Sequence, residues 1–452
     1  MTPQPRSHHA HTVCNHCVLL LENPGFLFAL SAAVFLVLNL RAFHSYFQDD
    51  DLDTLTWAPY VRLWDFARLA ASPRFSPSNF RPVGAYYYHI VSLLFPLDFP
   101  KFILPLQLAQ LLNAWLLWNI IRRLRLDLFA AFIGVSFYLF HAALLDAYWK
   151  PMYVFDLLCT TFCLVSFLCW LHDRLILSFV TFWLAYHAKE LAVMLPIVLV
   201  SYEYLLGRKR WKPLLAFFTV SLSFGLQGIL LNPNEGEANE YVFRFTFSAL
   251  RTTASFYASA LFLFPFGGFL LMPVSLLVSD RRLWLGLIST VAFLVPLLFL
   301  PGRLFAVYWC LPLTGVAIAM AAGAAHHERI ATVFLILWLP WTLVHLRHSQ
   351  RQNLRLARGN QAFVNGLFEC ARLEPKQMTF VYDGVPEGFH SWGVTGAITC
   401  AYRRKDQRVL WIDAPGARDL VRTGEAILLH WDHTSPPLRI IRNAPLAQKP
   451  GS

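Results

Sequence analysis

Four carboxylates, Asp49, Asp50, Asp51 and Asp53, crowd the stretch Tyr46–Trp57, directly after an apolar run from Phe26 to Leu40. Like charges this close repel, and a purely structural segment gains little from them. A cation, the counter-ion shell of a phosphate, or a proton transfer gives them a use. The alternative is a solvated acidic collar at the end of a helix. Other charged or titratable residues stand out further along: Arg81, His141, Asp146, Asp156, Lys189, Glu190 and Arg303. They add carboxylates suited to proton transfer and cations suited to a phosphate.

The elements that must position these residues follow from composition. The chain has 452 residues, of which 56% are hydrophobic and only 14% charged. A soluble domain carries roughly 25% charged residues. Apolar runs recur from Phe26 to about His345, so the expectation is an all-α polytopic membrane protein of about eleven spans. The formal net charge of +11 is concentrated in short connections, at Arg122–Arg125, Arg174, Arg208–Lys212, Arg281–Arg282 and Arg329. Alternate connections are acidic or neutral. That distribution is the positive-inside pattern, so the charge sets topology and nucleic-acid binding is excluded.

With the N-terminus inside, residues 1–23 form a cytoplasmic tail and residues 24–346 the membrane domain. A long first outer loop covers residues 44–100. Within it, Trp57–Trp64 and Tyr86–Val91 suit helices lying at the membrane surface. The polar residues named above then fall together in outer loops or at outer span ends. A proton- or ion-coupled transporter would instead carry them near mid-membrane.

From Arg347 to Ser452 the composition turns polar, predicting a small extracytoplasmic α/β domain behind an arginine-rich helix. Its expected strands are Met378–Tyr382, Val394–Ala401, Val409–Ile412 and Ala426–Trp431. Of the eight cysteines, Cys370 and Cys400 are the pair in this domain, and a disulfide between them is expected. The tail holds His8, His9, His11, Cys14, His16 and Cys17. One CxxC without a second pair does not predict a structural zinc.

Asp50-Asp51-Leu52-Asp53-Thr54-Leu55-Thr56-Trp57 resembles the acid pair that closes the first span of GT-C membrane glycosyltransferases, the class of the protein O-mannosyltransferases. Phe80-Arg81-Pro82-Val83 is similar to their Arg-Pro-Leu segment. His141, Asp146 and Asp156 match a spacing after their third span, with Ala142 in place of the usual proline and Val154 where an arginine is customary. Lys189-Glu190 through Pro196, and Arg303 through Tyr308 to Pro312, resemble two later patterns. The resemblance covers roughly Phe35 to Arg347 and leaves the C-terminal domain unmatched.

This resemblance implies a multi-pass protein of a bacterial inner membrane that moves a hexose from a polyprenyl-phosphate donor to a protein, lipid or glycan acceptor on the outer face. An inverting transfer needs a carboxylate to take the acceptor's proton and positive charge to hold the leaving phosphate. Asp50, first of the matched pair, is the expected base. The run of aspartates leaves the register open by one residue, so Asp49 and Asp51 are alternatives. Arg81, Lys189 and Arg303 are the expected phosphate-binding cations. Asp51, His141, Asp146, Asp156 and Glu190 are expected near the acceptor or a divalent cation, magnesium or manganese. A flippase of the same lipid-linked sugar would use the same charges without bond chemistry, and a catalytically silent scaffold would use none.

Overall fold

The computed structural model describes residues 23–74, 81–230, 242–273, 279–432 and 438–441. The histidine- and cysteine-bearing tail, Phe80 and the loop Asn232–Glu240 lie outside the described residues. Among the described residues, five helices are long and apolar enough to cross a bilayer: Pro24–His44, Phe99–Arg123, Pro151–Leu171, Arg281–Phe299 and Glu328–Leu373. Two helix pairs, Leu128–Leu139 with Ala142–Trp149 and Phe247–Phe262 with Gly267–Pro273, reach that length only across bends of 49° and 78°. Counting each pair as one span gives seven among the described residues, against the eleven expected from hydropathy. Two of the expected spans fall on shorter helices. Leu175–Ala188 and Pro312–His326 are apolar helices of 14 and 15 residues, and at 1.5 Å per residue they rise about 21–23 Å against a hydrocarbon core of about 30 Å.

The first outer loop folds as three helices, Asp49–Trp57, Leu63–Ala71 and Pro82–Leu94. Leu63, Trp64 and Tyr86 stay exposed on them, and Tyr60 on the short turn after the first. The first of the three, the acid helix, explains much of its own composition. Three aspartates occupy its first turn, where the positive end of the helix dipole and unpaired N–H groups favour negative charge. Asp51 Oδ2 reaches back to accept the backbone N–H of Gln48 at 2.7 Å. The crowded acids therefore have a structural use as well as a chemical one.

The long helix Glu328–Leu373 runs for 46 residues without a break, roughly 69 Å at helical rise. It carries the chain straight through residue 347, where composition suggested a domain boundary. Beyond it lie β1 (Thr379–Asp383), the helix Ser391–Tyr402, β2 (Arg408–Trp411), a short helix Ala417–Arg422, β3 (Ile427–Trp431) and β4 (Leu438–Ile441). The sheet order is β2-β1-β3-β4, parallel except for β4, which pairs antiparallel with β3.

Val394–Ala401, expected as a strand, is helix. Its buried residues Val394, Ala397 and Ile398 recur at the i, i+3, i+4 spacing of a helix face, which outweighs the β-branched composition. The expected disulfide is absent: Cys370 and Cys400 are both free. They serve different interfaces. The Tyr402 hydroxyl donates to Cys370 Sγ at 3.3 Å, whereas Cys400 Sγ points at the Leu52 carbonyl at 3.6 Å.

One face of the sheet shares a continuous core with the long helix and the membrane helices, joining Phe363, Val364 and Leu367 to Phe380, Leu429 and Leu438. The helix Ser391–Tyr402 packs on the acid helix. A Cβ at Gly393 would overlap Asp49, and one at Gly396 would meet the backbone at Leu52 and Asp53. The C-terminal unit is thus built onto the segment that carries the acids.

Candidate functional site

The three adjacent aspartates of the acid helix have three different surroundings. Asp51 is fully buried and accepts from Gln48 N–H, from the Tyr88 hydroxyl at 2.6 Å, and from Met152 N–H. Burial pushes its pKa up to about 7, with those donors opposing and Asp50 adding to the rise. Asp49 is also buried, and its Oδ2 accepts from His390 N–H at 3.0 Å and lies 2.5 Å from His390 Nδ1. Asp50 is the exposed one. Its Oδ1 accepts from the Trp392 indole N–H at 2.9 Å. Crowding by protein raises its pKa; Asp49 adds to this, while the Trp392 hydrogen bond and the charges of Arg303 and His390 oppose it. Of the three, Asp50 combines access to solvent with a raised proton affinity. That is the condition of a general base working near neutral pH.

Asp51 also makes stability pH-dependent. Its folded pKa lies above the unfolded value, so the folded state holds a proton that the unfolded state has lost between about pH 4 and pH 7. The stabilisation is complete below that window and is lost as pH rises through it. Asp51→Asn should flatten this slope, measured as the thermal midpoint of the solubilised protein at each pH. An unchanged slope would mean that other groups set it.

The cations form a second layer. Lys189 Nζ lies 2.5 Å from Asp156 Oδ1 and 4.1 Å above the centre of the Tyr308 ring. Arg81 grips Glu190 with both ends of its fork, Nε to Oε1 and Nη2 to Oε2 at 2.9 Å each. Burial alone would raise the Glu190 pKa, but the Arg81 guanidinium more than reverses it and the net shift is down. Arg303 donates to the Tyr308 hydroxyl from Nε and Nη2, at 3.3 and 3.1 Å, and its charge reaches Asp50. Tyr153 lies within electrostatic reach of Asp50, Asp146, Asp156 and Tyr308, which marks the middle of the group. Asp146 binds Lys150 Nζ at 3.0 Å and accepts from Asn353 of the long helix at 2.9 Å.

The structure therefore brings together Asp49, Asp50, Asp51, Asp146, Asp156, Arg81, Lys189, Glu190 and Arg303 along one set of loops and helix ends, with two revisions of role. Arg81 and Lys189, expected to await a phosphate, already hold Glu190 and Asp156. His141 does not belong to the group. It is buried against Phe137 and Trp338, Nδ1 accepts from Ala143 N–H, and Nε2 donates to the Leu261 carbonyl at 2.6 Å. Both ring nitrogens are used in closing a bent span. The divalent cation also finds no ready ligand set: among the described residues no group of three or more His, Cys, Asp or Glu side chains could hold a metal ion. The carboxylates are spread over separate cations and N–H donors instead, and no step is assigned to a metal.

Sequence reasoning missed His390, Trp392, Tyr88, Tyr153 and Asn353, and it named Tyr308 without giving it a role. Tyr88 lay inside a noted aromatic stretch, but only the fold turns its hydroxyl toward Asp51. His390 and Trp392 stack on each other with centroids 4.4 Å apart. They reach the acids from a separation of about 340 residues in sequence, and no local pattern announces them. No family model matches the chain, and no curated protein matches it.

Proposed function

We propose that this chain is a membrane glycosyltransferase that moves a sugar from a polyprenyl-phosphate donor to a hydroxyl-bearing acceptor, with inversion, at the outer boundary of the membrane. The observation that carries the reading is Asp50, an exposed carboxylate with a raised pKa, under the influence of the Arg303 guanidinium. The reaction needs that pair of opposite roles. The acceptor oxygen attacks the anomeric carbon and passes its proton to Asp50. The bond from that carbon to the phosphate oxygen breaks, and the phosphate leaves with the bonding electrons. Arg303 offsets the charge it gains. Trp392 holds Asp50 in place through its indole N–H, and Tyr308 aims Arg303. An acid helix that follows the first apolar helix suits a donor with a charged head and a lipid tail.

A flippase of the same lipid-linked sugar is the second reading, and the two sharply bent helix pairs favour it, since broken helices recur in transporters. Vesicles holding the purified protein and a donor labelled in its sugar separate the two. Label that leaves the lipid for an acceptor supports the transferase. Label that changes leaflet but stays on the lipid replaces it with the flippase. Arg303→Gln in the same vesicles should weaken donor binding about tenfold, as expected for loss of a hydrogen bond to a charged group. Unchanged donor affinity would remove Arg303 from the phosphate.

A further inference from the structure

A polar cavity of about 510 Å³ lies among the ends of four helices, away from the acid helix. Arg122, Arg123 and Arg125 reach it from the end of Phe99–Arg123, Asp173 from the turn after Pro151–Leu171, and Arg208 and Arg210 from the connection between Leu195–Leu205 and Trp211–Leu230. We propose that it is a binding site for a phosphate-bearing anion, borne by a membrane lipid headgroup or by a soluble phosphate compound.

Basic turns at span ends are common because they set topology, and that role needs charge but no cavity. Three observations go further. The first is charge balance. Five arginines line the cavity with one aspartate, and Glu203 beneath it binds Arg210. The two carboxylates leave an excess of three positive charges. By contrast, Arg282 in another basic turn is matched by Asp280 through both Nε and Nη2.

The second observation is which arginines the fold uses. Arg210 holds Glu203, Asp173 and the Trp170 carbonyl, and Arg122 holds the Leu126 carbonyl at 2.8 Å. Those contacts already serve the exposed carbonyls of the helix ends. The guanidinium groups of Arg123 and Arg125 make no hydrogen bond or ion pair with the described residues, and that of Arg208 reaches only Asp173, at 3.5 Å with its side chain 80% exposed. Three guanidinium forks therefore face one hollow with their donors uncommitted or weakly held, the arrangement that phosphate oxygens fill best.

The third is the rim. Arg125, Asp173 and Lys209, one in each of the three connecting turns, adopt left-handed backbone angles with φ of 61°, 62° and 60°. Such angles are costly for residues other than glycine and persist where the surroundings fix them. The turns are thus held in shape before any ligand arrives. The volume lies within the range of small-molecule sites, about 300–1,000 Å³. Helices long enough to span a bilayer end at the cavity, at the depth of lipid headgroups.

The test uses the full chain in detergent, with bound species counted by native mass spectrometry. Cardiolipin and phosphatidylcholine are titrated in one arm and inorganic pyrophosphate in the other. Cardiolipin should bind at least about tenfold more tightly than phosphatidylcholine, and Arg123→Gln with Arg125→Gln should remove about tenfold or more of that affinity. Arg329→Gln with Arg351→Gln, which removes the same charge from residues that do not line the cavity, should leave it unchanged. Arg208→Gln alone is the milder variant should the double one insert poorly, and it should weaken binding in the same sense. Pyrophosphate bound with the same arginine dependence, and no preference among lipids, assigns the site to a soluble phosphate compound. Anion binding that is absent, or equally reduced by the control pair, overturns the site.

Discussion

Asp50→Asn is expected to lower sugar transfer by on the order of 10²–10⁴-fold, the usual contribution of a positioned general base. The substitution keeps size and still offers an oxygen to the Trp392 indole, so the local fold should survive. Donor binding should hold or tighten slightly, because a negative charge near the donor phosphate is gone. Since Asp50 has a raised pKa, transfer by the parent protein should fall on the acid side above the ordinary carboxylate range. The base is lost by protonation, so the rate rises with pH. The neighbours provide the register control. Asp49 is committed to His390 and Asp51 to Tyr88, Gln48 and Met152, so their asparagine variants should act through stability and docking. A transfer assay on all three variants, with donor affinity measured beside it, decides the matter. Parent-level transfer by Asp50→Asn would dismiss Asp50 as the base.

The legible parts of this protein were those set by local chemistry. Apolar runs gave the long helices, and turn residues gave β1, β2 and β3. The stretch Tyr46–Trp57 drew attention because four acids are conspicuous in an apolar chain. Hydropathy alone does not fix helix length, and Pro312–His326 is a helix of only 15 residues. Hydropathy also could not see that Lys189 and Asp156, 33 residues apart, form a pair, or that Arg81 closes on Glu190 at 109 residues' separation. Such pairings depend on which loops the bundle brings together. His141 shows the opposite failure. A histidine beside acids in sequence looked like site chemistry, yet the bend of its span turns the ring inward. The composition break near residue 347 was real, but helices cross composition breaks when both halves favour helix. The site was therefore half visible, in its acids and cations and not in the His390–Trp392 contribution.

That contribution depends on a close crossing of two helices, which makes Gly396→Val the most disruptive substitution expected outside the charged residues. A Cβ at Gly396 would lie 2.8 Å from Asp53 N and 2.9 Å from the Leu52 carbonyl carbon. Both are backbone atoms of the acid helix and cannot rotate aside as a side chain can. Relief requires the helix Ser391–Tyr402 to move away, at about 3 kcal/mol, the upper part of the usual overpacking range. Gly396→Ala should show the same sign at smaller size, although alanine alone favours a helix over glycine by roughly 0.5–1 kcal/mol. That reversal separates the clash from helix propensity. Gly225→Ala is the matching control, because no atom lies within 4 Å of its added Cβ and it should be neutral or stabilising. Moving the helix also withdraws His390 from Asp49 and Trp392 from Asp50. Gly396→Val should therefore open the C-terminal unit to limited proteolysis and lower transfer together, with the membrane helices still inserted. A variant that melts and resists protease like the parent would show that the crossing yields, and that the C-terminal unit does not depend on this contact to reach the acids.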